Sequence, residues 1–249
     1  MPLLSATVRI EQKVTLMPVI ELSAPDGAIA AVREAPEGAG PWPGVVLLHD
    51  AVGLTADLRR NARMIADNGY LVIAPDLFAR GPRCVPGVFR DLLFTGDGKA
   101  VRDILAALQR IRDDSSCTGR VAVAGFCMGG GFALLTAPRG FDAAAPFYPT
   151  GRGKYAQMLR GSCPIVASYG RLDPINIGRG DRLARVLDDS GVAHDVKTYP
   201  GVTHGFANEL PVDPVLRVAG LGYDADAADD AWRRVFAFFG QHLKTSLPQ

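Results

Sequence analysis

The chain has 249 residues, 48% of them apolar and 21% charged, with a formal net charge of +1. A chain of that size can bury a large core, and these fractions exclude the disordered and fibrous classes. The balanced charge leaves no field to gather a polyanion, and no basic stripe interleaves with aromatics, so nucleic acid is not an expected partner.

Taken in chain order, Ala6 to Leu16 and Ala28 to Arg33 are expected to be two strands. The turn chemistry of Ala24-Pro25-Asp26-Gly27 separates them, so they would pair as a hairpin at a sheet edge. Gly38 to Gly44 reads as a loop, and Val45 to His49 is a short apolar run suited to a strand buried on both faces. Thr55 to Asn68 is expected to be helical, with Thr55 as N-cap and Leu58, Ala62, Ile65 and Ala66 as its apolar stripe. Leu71 to Asp76 is the next strand. Lys99 to Asp113 follows as a helix, because Val101, Ile104, Leu105, Leu108 and Ile111 share one face.

A strand at Val121 to Gly125 runs into a helix from Met128. Strands follow at Ala143 to Tyr148, Pro164 to Tyr169 and His194 to Tyr199, with a helix at Asp181 to Asp189 before the last. A closing helix at Ala227 to Leu243 carries Trp232, Val235, Phe236 and Phe239 as its buried stripe. This alternation implies right-handed crossovers and a mostly parallel central sheet with helices on both faces, the α/β class, in one domain over residues 1–249.

The four cysteines, Cys84, Cys117, Cys127 and Cys163, form no C-x-x-C pair, so neither a metal nor a disulfide framework is expected. Arg9, Glu11 and Lys13 interrupt the start before a signal peptide's apolar stretch could form, so the expected location is the cytoplasm. Val121 to Pro138 is uncharged, but its glycines break it, and a buried strand, turn and helix explains it better than a membrane span.

The chemistry is expected at Gly125-Phe126-Cys127-Met128-Gly129, a nucleophile-elbow pattern with cysteine in the reactive place. The turn is tight, so small residues are needed two before and two after the nucleophile. The sulfur would sit at a helix N-terminus, whose partial charge favours a thiolate. A nucleophile of this kind needs a base, and the base an orienting acid, in the chain order nucleophile, acid, histidine. Asp173 follows the strand ending at Tyr169, and His204 lies in the loop after Tyr199. The other histidines fit less well: His242 is near the C-terminus, His194 opens a strand, and His49 lies upstream of the nucleophile. The oxyanion of an acyl-transfer intermediate would rest on the backbone N–H of Met128 and on one from His49 to Leu54, for which Ala51 is the choice.

The stretches L-L-H-D-A-V-G-L, G-Y-L-V-I-A-P-D-L-F-A-R, V-A-G-F-C-M-G-G-G, Y-G-R-L-D-P and P-G-V-T-H-G-F together resemble the dienelactone hydrolase (carboxymethylenebutenolidase) family of the α/β-hydrolase fold. The resemblance implies a Cys127, Asp173, His204 triad and a thioester acyl-enzyme that water hydrolyses, with no cofactor. It also implies a cysteine-activating role for Asp50, where family members commonly carry Glu. The archetypal enzymes hold a substrate carboxylate with arginines, one of them four residues after the histidine. Here that position is Asn208, and Gly205 stands where a serine is found. Arg83 and Arg90 are the candidates to supply a cation to the pocket.

The expected activity is hydrolysis of a small lactone or carboxylic ester. Alternatives are acyl transfer by the same triad, or a thiol-redox or binding module built on Cys127. The sequence sets neither the oligomeric state nor the substrate.

Overall fold

The computed structural model describes residues 19–209 and 222–244. Its centre is an eight-stranded sheet in the order β1-β2-β4-β3-β5-β6-β7-β8. The strands are β1 (Val19–Leu22), β2 (Ile29–Glu34), β3 (Trp42–Leu48), β4 (Leu71–Pro75), β5 (Cys117–Phe126), β6 (Ala143–Phe147), β7 (Ile165–Gly170) and β8 (His194–Tyr199). The β1 and β2 strands pair antiparallel, β2 pairs antiparallel with β4, and every later pairing is parallel.

The edge hairpin forms, but its first arm is Val19–Leu22, in register from Val19 opposite Val32 to Leu22 opposite Ile29. The strand expected at Ala6 to Leu16 lies outside the described residues. The turn closes through Gly27 N–H donating to the Ala24 carbonyl at 3.0 Å, with Gly27 at φ 104°.

Strand side chains alternate between two cores, as the pleat requires. Val46, Leu48, Val121 and Val123 face one side, against α3 (Lys99–Arg112), α4 (Met128–Thr136) and α6 (Arg179–Asp189). Val45, Leu47, Ala122 and Ala124 face the other, against α1 (Ala56–Asp67) and the final helix α7 (Ala225–Leu243). Thr55 caps α1, its hydroxyl accepting the Leu58 N–H at 3.2 Å. Leu58, Ala62, Ile65 and Ala66 are all buried, as their spacing predicts. In α7 the buried stripe holds Trp232, Val235 and Phe239 and adds Phe238, whereas Phe236 is only partly covered.

Residues 82–95 are more regular than their prolines and glycines suggest. A 3-10 turn (Pro82–Cys84), the helix α2 (Val85–Arg90) and a π turn (Asp91–Thr95) follow one another. Pro82 and Pro86 sit in first turns, where a missing N–H costs nothing. The segment is anchored by burial of Val88 and Leu92, and Asp91 caps α3 by accepting the Ala100 N–H. A four-residue helix, α5 (Tyr155–Met158), is a second element with no sequence signal.

The tightest packing is where α4 meets the sheet. A Cβ on Gly131 would lie 1.8 Å from the Thr150 carbonyl oxygen, a backbone atom with no room to give. A Cβ on Gly87, in α2, would meet nothing within 4 Å. Gly131→Ala should therefore cost at least about 2 kcal/mol in urea unfolding through overpacking. Gly87→Ala should be neutral or stabilising by up to about 1 kcal/mol. Equal effects of the two substitutions would contradict this packing.

Candidate active site

The chain leaves β3 through α1 toward β4 on one side, and leaves β5 through α4 toward β6 on the other. Neighbouring strands whose connections diverge open a crevice at their carboxyl ends. The loops after β3 and β5 border that crevice, and the β5 loop carries Cys127.

Cys127 links β5 directly to α4 with φ 51° and ψ −110°, a backbone region that a non-glycine residue seldom occupies. The turn is held by backbone bonds on both sides. Cys127 N–H donates to the Phe147 carbonyl at 3.1 Å, and its own carbonyl accepts from Gly131 at 3.0 Å and Thr150 at 2.9 Å. A Cβ on Gly125 would lie 2.5 Å from the Gly129 carbonyl group, and one on Gly129 would lie 2.4 Å from the Leu48 oxygen. Small residues at these two positions are thus a requirement of the turn. The Cys127 Sγ lies 3.4 Å from the Thr150 hydroxyl, a contact with no signal in the sequence.

His204 and Asp173 meet as their order predicts, through Nδ1 and Oδ2 at 2.7 Å. Asp173 is fully buried. Its Oδ1 accepts the Ile175 N–H at 2.9 Å, and its Oδ2 also accepts from the Asn176 amide at 2.7 Å. Burial alone would raise the Asp173 carboxyl, but its bonds from His204 and Asn176 outweigh that and hold it below its ordinary value. Asn176 escaped the sequence reading, although an amide three residues past the acid, in a tight turn, can orient a carboxylate. Burial pulls the His204 imidazole down, yet Asp173 and the sulfur of Cys127 overcome it and push it up to about 9. The His204 Nε2 is buried with no hydrogen-bond partner among the described residues, so it is the atom left to act.

Met128 opens α4, and the Ala51 N–H makes no hydrogen bond among the described residues. Asp50 is half-buried on the loop after β3. Its Oδ1 accepts the Val52 N–H at 2.8 Å, bracing its own loop, while the Cys127 sulfur is paired with Thr150. Burial raises the Asp50 carboxyl, partly offset by the Val52 N–H and by the His204 charge.

The three residues expected to contact substrate differ in burial. Arg83 and Arg90 are exposed on the 82–95 segment, and Arg90 faces Asp91 at 3.5 Å. Asn208 is buried, with its amide oxygen taken by the Tyr148 hydroxyl and one N–H of its NH₂ donating to Asp57 at 2.6 Å, and it carries no cation for a substrate carboxylate. Gly205 adopts φ 78°, where a serine would be strained. A cavity of about 320 Å³ that Thr150 helps to line is bordered by four cations, Arg139, Arg152, Lys154 and Arg179.

Among the described residues no helix is long and apolar enough to cross a membrane. No group of three or more His, Cys, Asp or Glu among them could hold a metal ion.

Residues 29–243 match the dienelactone hydrolase family. A carboxymethylenebutenolidase of Rhodococcus opacus is 31% identical over 220 residues, covering 80% of this chain and 81% of the relative. Among solved structures, a dienelactone hydrolase-like promiscuous phosphotriesterase from metagenomic libraries superposes with a TM-score of 0.76 at 24% identity, covering 91% of this chain and 98% of that one. Thermogutta terrifontis esterase 2 shares the fold with a TM-score of 0.70 at 16% identity, covering 96% of this chain and 100% of its own.

The raised His204 value makes a pH-dependent contribution to stability. A histidine raised from about 6.5 to about 9 stabilises fully below about pH 6.5, and loses that contribution as pH rises through 9. The loss should be on the order of 2–3 kcal/mol between pH 6.5 and 10. Thermal unfolding of wild type against His204→Gln over that range measures it, and parallel curves would contradict the assignment.

Proposed function

The chain belongs to the dienelactone hydrolase family of ester and lactone hydrolases, and on that basis we propose that Cys127 is its nucleophile, working with His204 and Asp173 through a thioester acyl-enzyme. One observation carries the reading: the strained Cys127 turn stands beside a histidine whose other nitrogen is bound to a buried carboxylate at 2.7 Å.

His204 carries its proton at neutral pH, and the sulfur attacks the substrate carbonyl carbon to form a C–S bond. The carbonyl oxygen becomes an oxyanion, stabilised by the N–H groups of Met128 and Ala51. As the C–O bond breaks, His204 Nε2 passes its proton to the leaving alkoxide; from a lactone this alkoxide stays tethered as a hydroxyl. Water then attacks the thioester with His204 taking its proton, and the acid and the thiolate–imidazolium pair are released. Asp173, oriented by Asn176 and the Ile175 N–H, fixes the imidazole in the tautomer that presents Nε2 to the sulfur.

Asn208 and Gly205 separate this site from one built for the archetypal dienelactone carboxylate. We therefore assign it small lactones or carboxylic esters as a class, hydrolysed in the cytoplasm, a compartment that suits four free thiols.

Cys127→Ala should lower kcat/KM for 4-nitrophenyl acetate by at least about 10³-fold, and wild type quenched during turnover should carry an acetyl mass on Cys127. Undiminished hydrolysis by the alanine variant would sink the assignment. Acetyl accumulation that only a nucleophile other than water discharges would turn it into an acyltransferase.

A further inference from the structure

His49 has no part in the chemistry above, yet it is completely buried at the end of β3, one residue before the oxyanion loop. Both its nitrogens are engaged. Nδ1 lies 2.6 Å from the Asp50 carbonyl oxygen, and Nε2 lies 3.0 Å from the Leu77 N–H in the loop after β4. A carbonyl can only accept and an amide N–H can only donate, so the ring is neutral with its proton on Nδ1. The charged groups facing it are Asp50 and Asp76, the latter with Oδ1 3.8 Å from Nε2. Burial outweighs both carboxylates and holds the imidazole below its ordinary value, in agreement with the neutral ring. The Phe78 ring packs on it at 4.8 Å and removes its freedom to turn.

The Asp50 carbonyl and the Ala51 N–H are the two ends of one planar peptide, and in the trans form they point in opposite directions. Holding the carbonyl therefore sets the direction of the N–H. The Gly53 N–H also reaches the Asp50 oxygen, at 3.3 Å, so the histidine supplies the shorter of two bonds on it. The loop cannot retreat as a whole, because Gly129 of α4 lies against the Leu48 and His49 carbonyls, where a Cβ would come within 2.4 and 2.6 Å. With that anchor fixed, the remaining freedom is rotation of the Asp50–Ala51 peptide, and the imidazole restrains it.

We propose that His49 is a positioning residue: it aims the Ala51 N–H at the oxyanion by holding the other end of the same peptide, and it ties that peptide to the loop after β4. The inference rests on the hydrolase reading, since an aimed donor matters only where a carbonyl oxygen gains charge. An oxyanion contact matters most in the transition state, so its loss falls on kcat and leaves KM nearly unchanged.

The experiment uses two variants and 4-nitrophenyl acetate. In His49→Gln the amide oxygen reproduces the Nε2 acceptor for Leu77, but nothing replaces the Nδ1 donor; in His49→Asn the amide NH₂ takes the Nδ1 place. The glutamine variant should lose about tenfold in kcat with KM within about twofold, and the asparagine variant should recover most of that loss. The nitrogen chemical shifts of His49, read without substrate at pH 7, should show a neutral Nδ1–H ring. Wild-type kcat in His49→Gln, equal losses in both variants in step with thermal stability, or an Nε2–H or charged ring would each overturn the proposal. Failure of the underlying hydrolase reading shows separately, as hydrolysis that survives Cys127→Ala.

Discussion

The first turn of α4 is in backbone contact with three strand ends at once. Gly125 closes on Gly129, Gly129 on the Leu48 and His49 carbonyls, Gly130 on Phe147, and Gly131 on Thr150. At each of these places a single methyl group would overlap main-chain atoms, so the approach is set by the absence of side chains. Everything else in the crevice takes its position from this contact. It brings the end of β3 beside the nucleophile and gives Cys127 its left-handed backbone. It also places Thr150 against the sulfur, because the Thr150 N–H and the Gly131 N–H share the Cys127 carbonyl.

The electrostatics of the crevice follow from burial and pairing. A buried carboxylate surrounded by three donors stays charged, and it passes that preference through 2.7 Å to the imidazole. The opposite balance holds at His49, where burial wins over two nearby carboxylates and leaves a neutral ring. Two histidines in neighbouring loops are thus held in opposite protonation states, the one beside a thiol and a buried acid, the other between backbone groups. The difference lies in their partners, since both are buried.

The α/β alternation was legible because strands buried on both faces read as apolar runs, and the stripes of α1 and α3 have clear helical spacing. Cys127, Asp173 and His204 were legible through chain order, which a fold with consecutive loops along one sheet edge turns into proximity. What escaped notice has physical reasons. Residues 82–95 are rich in Pro and Gly, which read as breakers, yet Pro82 and Pro86 occupy first turns, and Val88 with Leu92 pins the segment by burial. Thr150 and Asn176 are ordinary loop residues whose importance comes from tertiary contacts alone. Arg83 and Arg90 were candidates only for their charge, and charge says nothing about direction. Asp50 turned to the Val52 N–H because its short side chain closes a local ring with its own backbone.

The buried chain from Tyr148 through Asn208 to Asp57 also bears on how such sites are redesigned. Asp57 receives Arg60, one turn on in the same helix, at 2.9 Å and the Glu209 N–H at 3.1 Å, so it already collects donors, one of them a cation. A guanidinium grafted at position 208 to restore the archetypal carboxylate clamp would find this acid before it found a substrate. It would be captured as an internal ion pair. Anion selectivity at this position therefore belongs to a pair of residues, the cation and the acid beneath it. A chain carrying Asp57 would have to shed that acid before an arginine there became visible to a ligand.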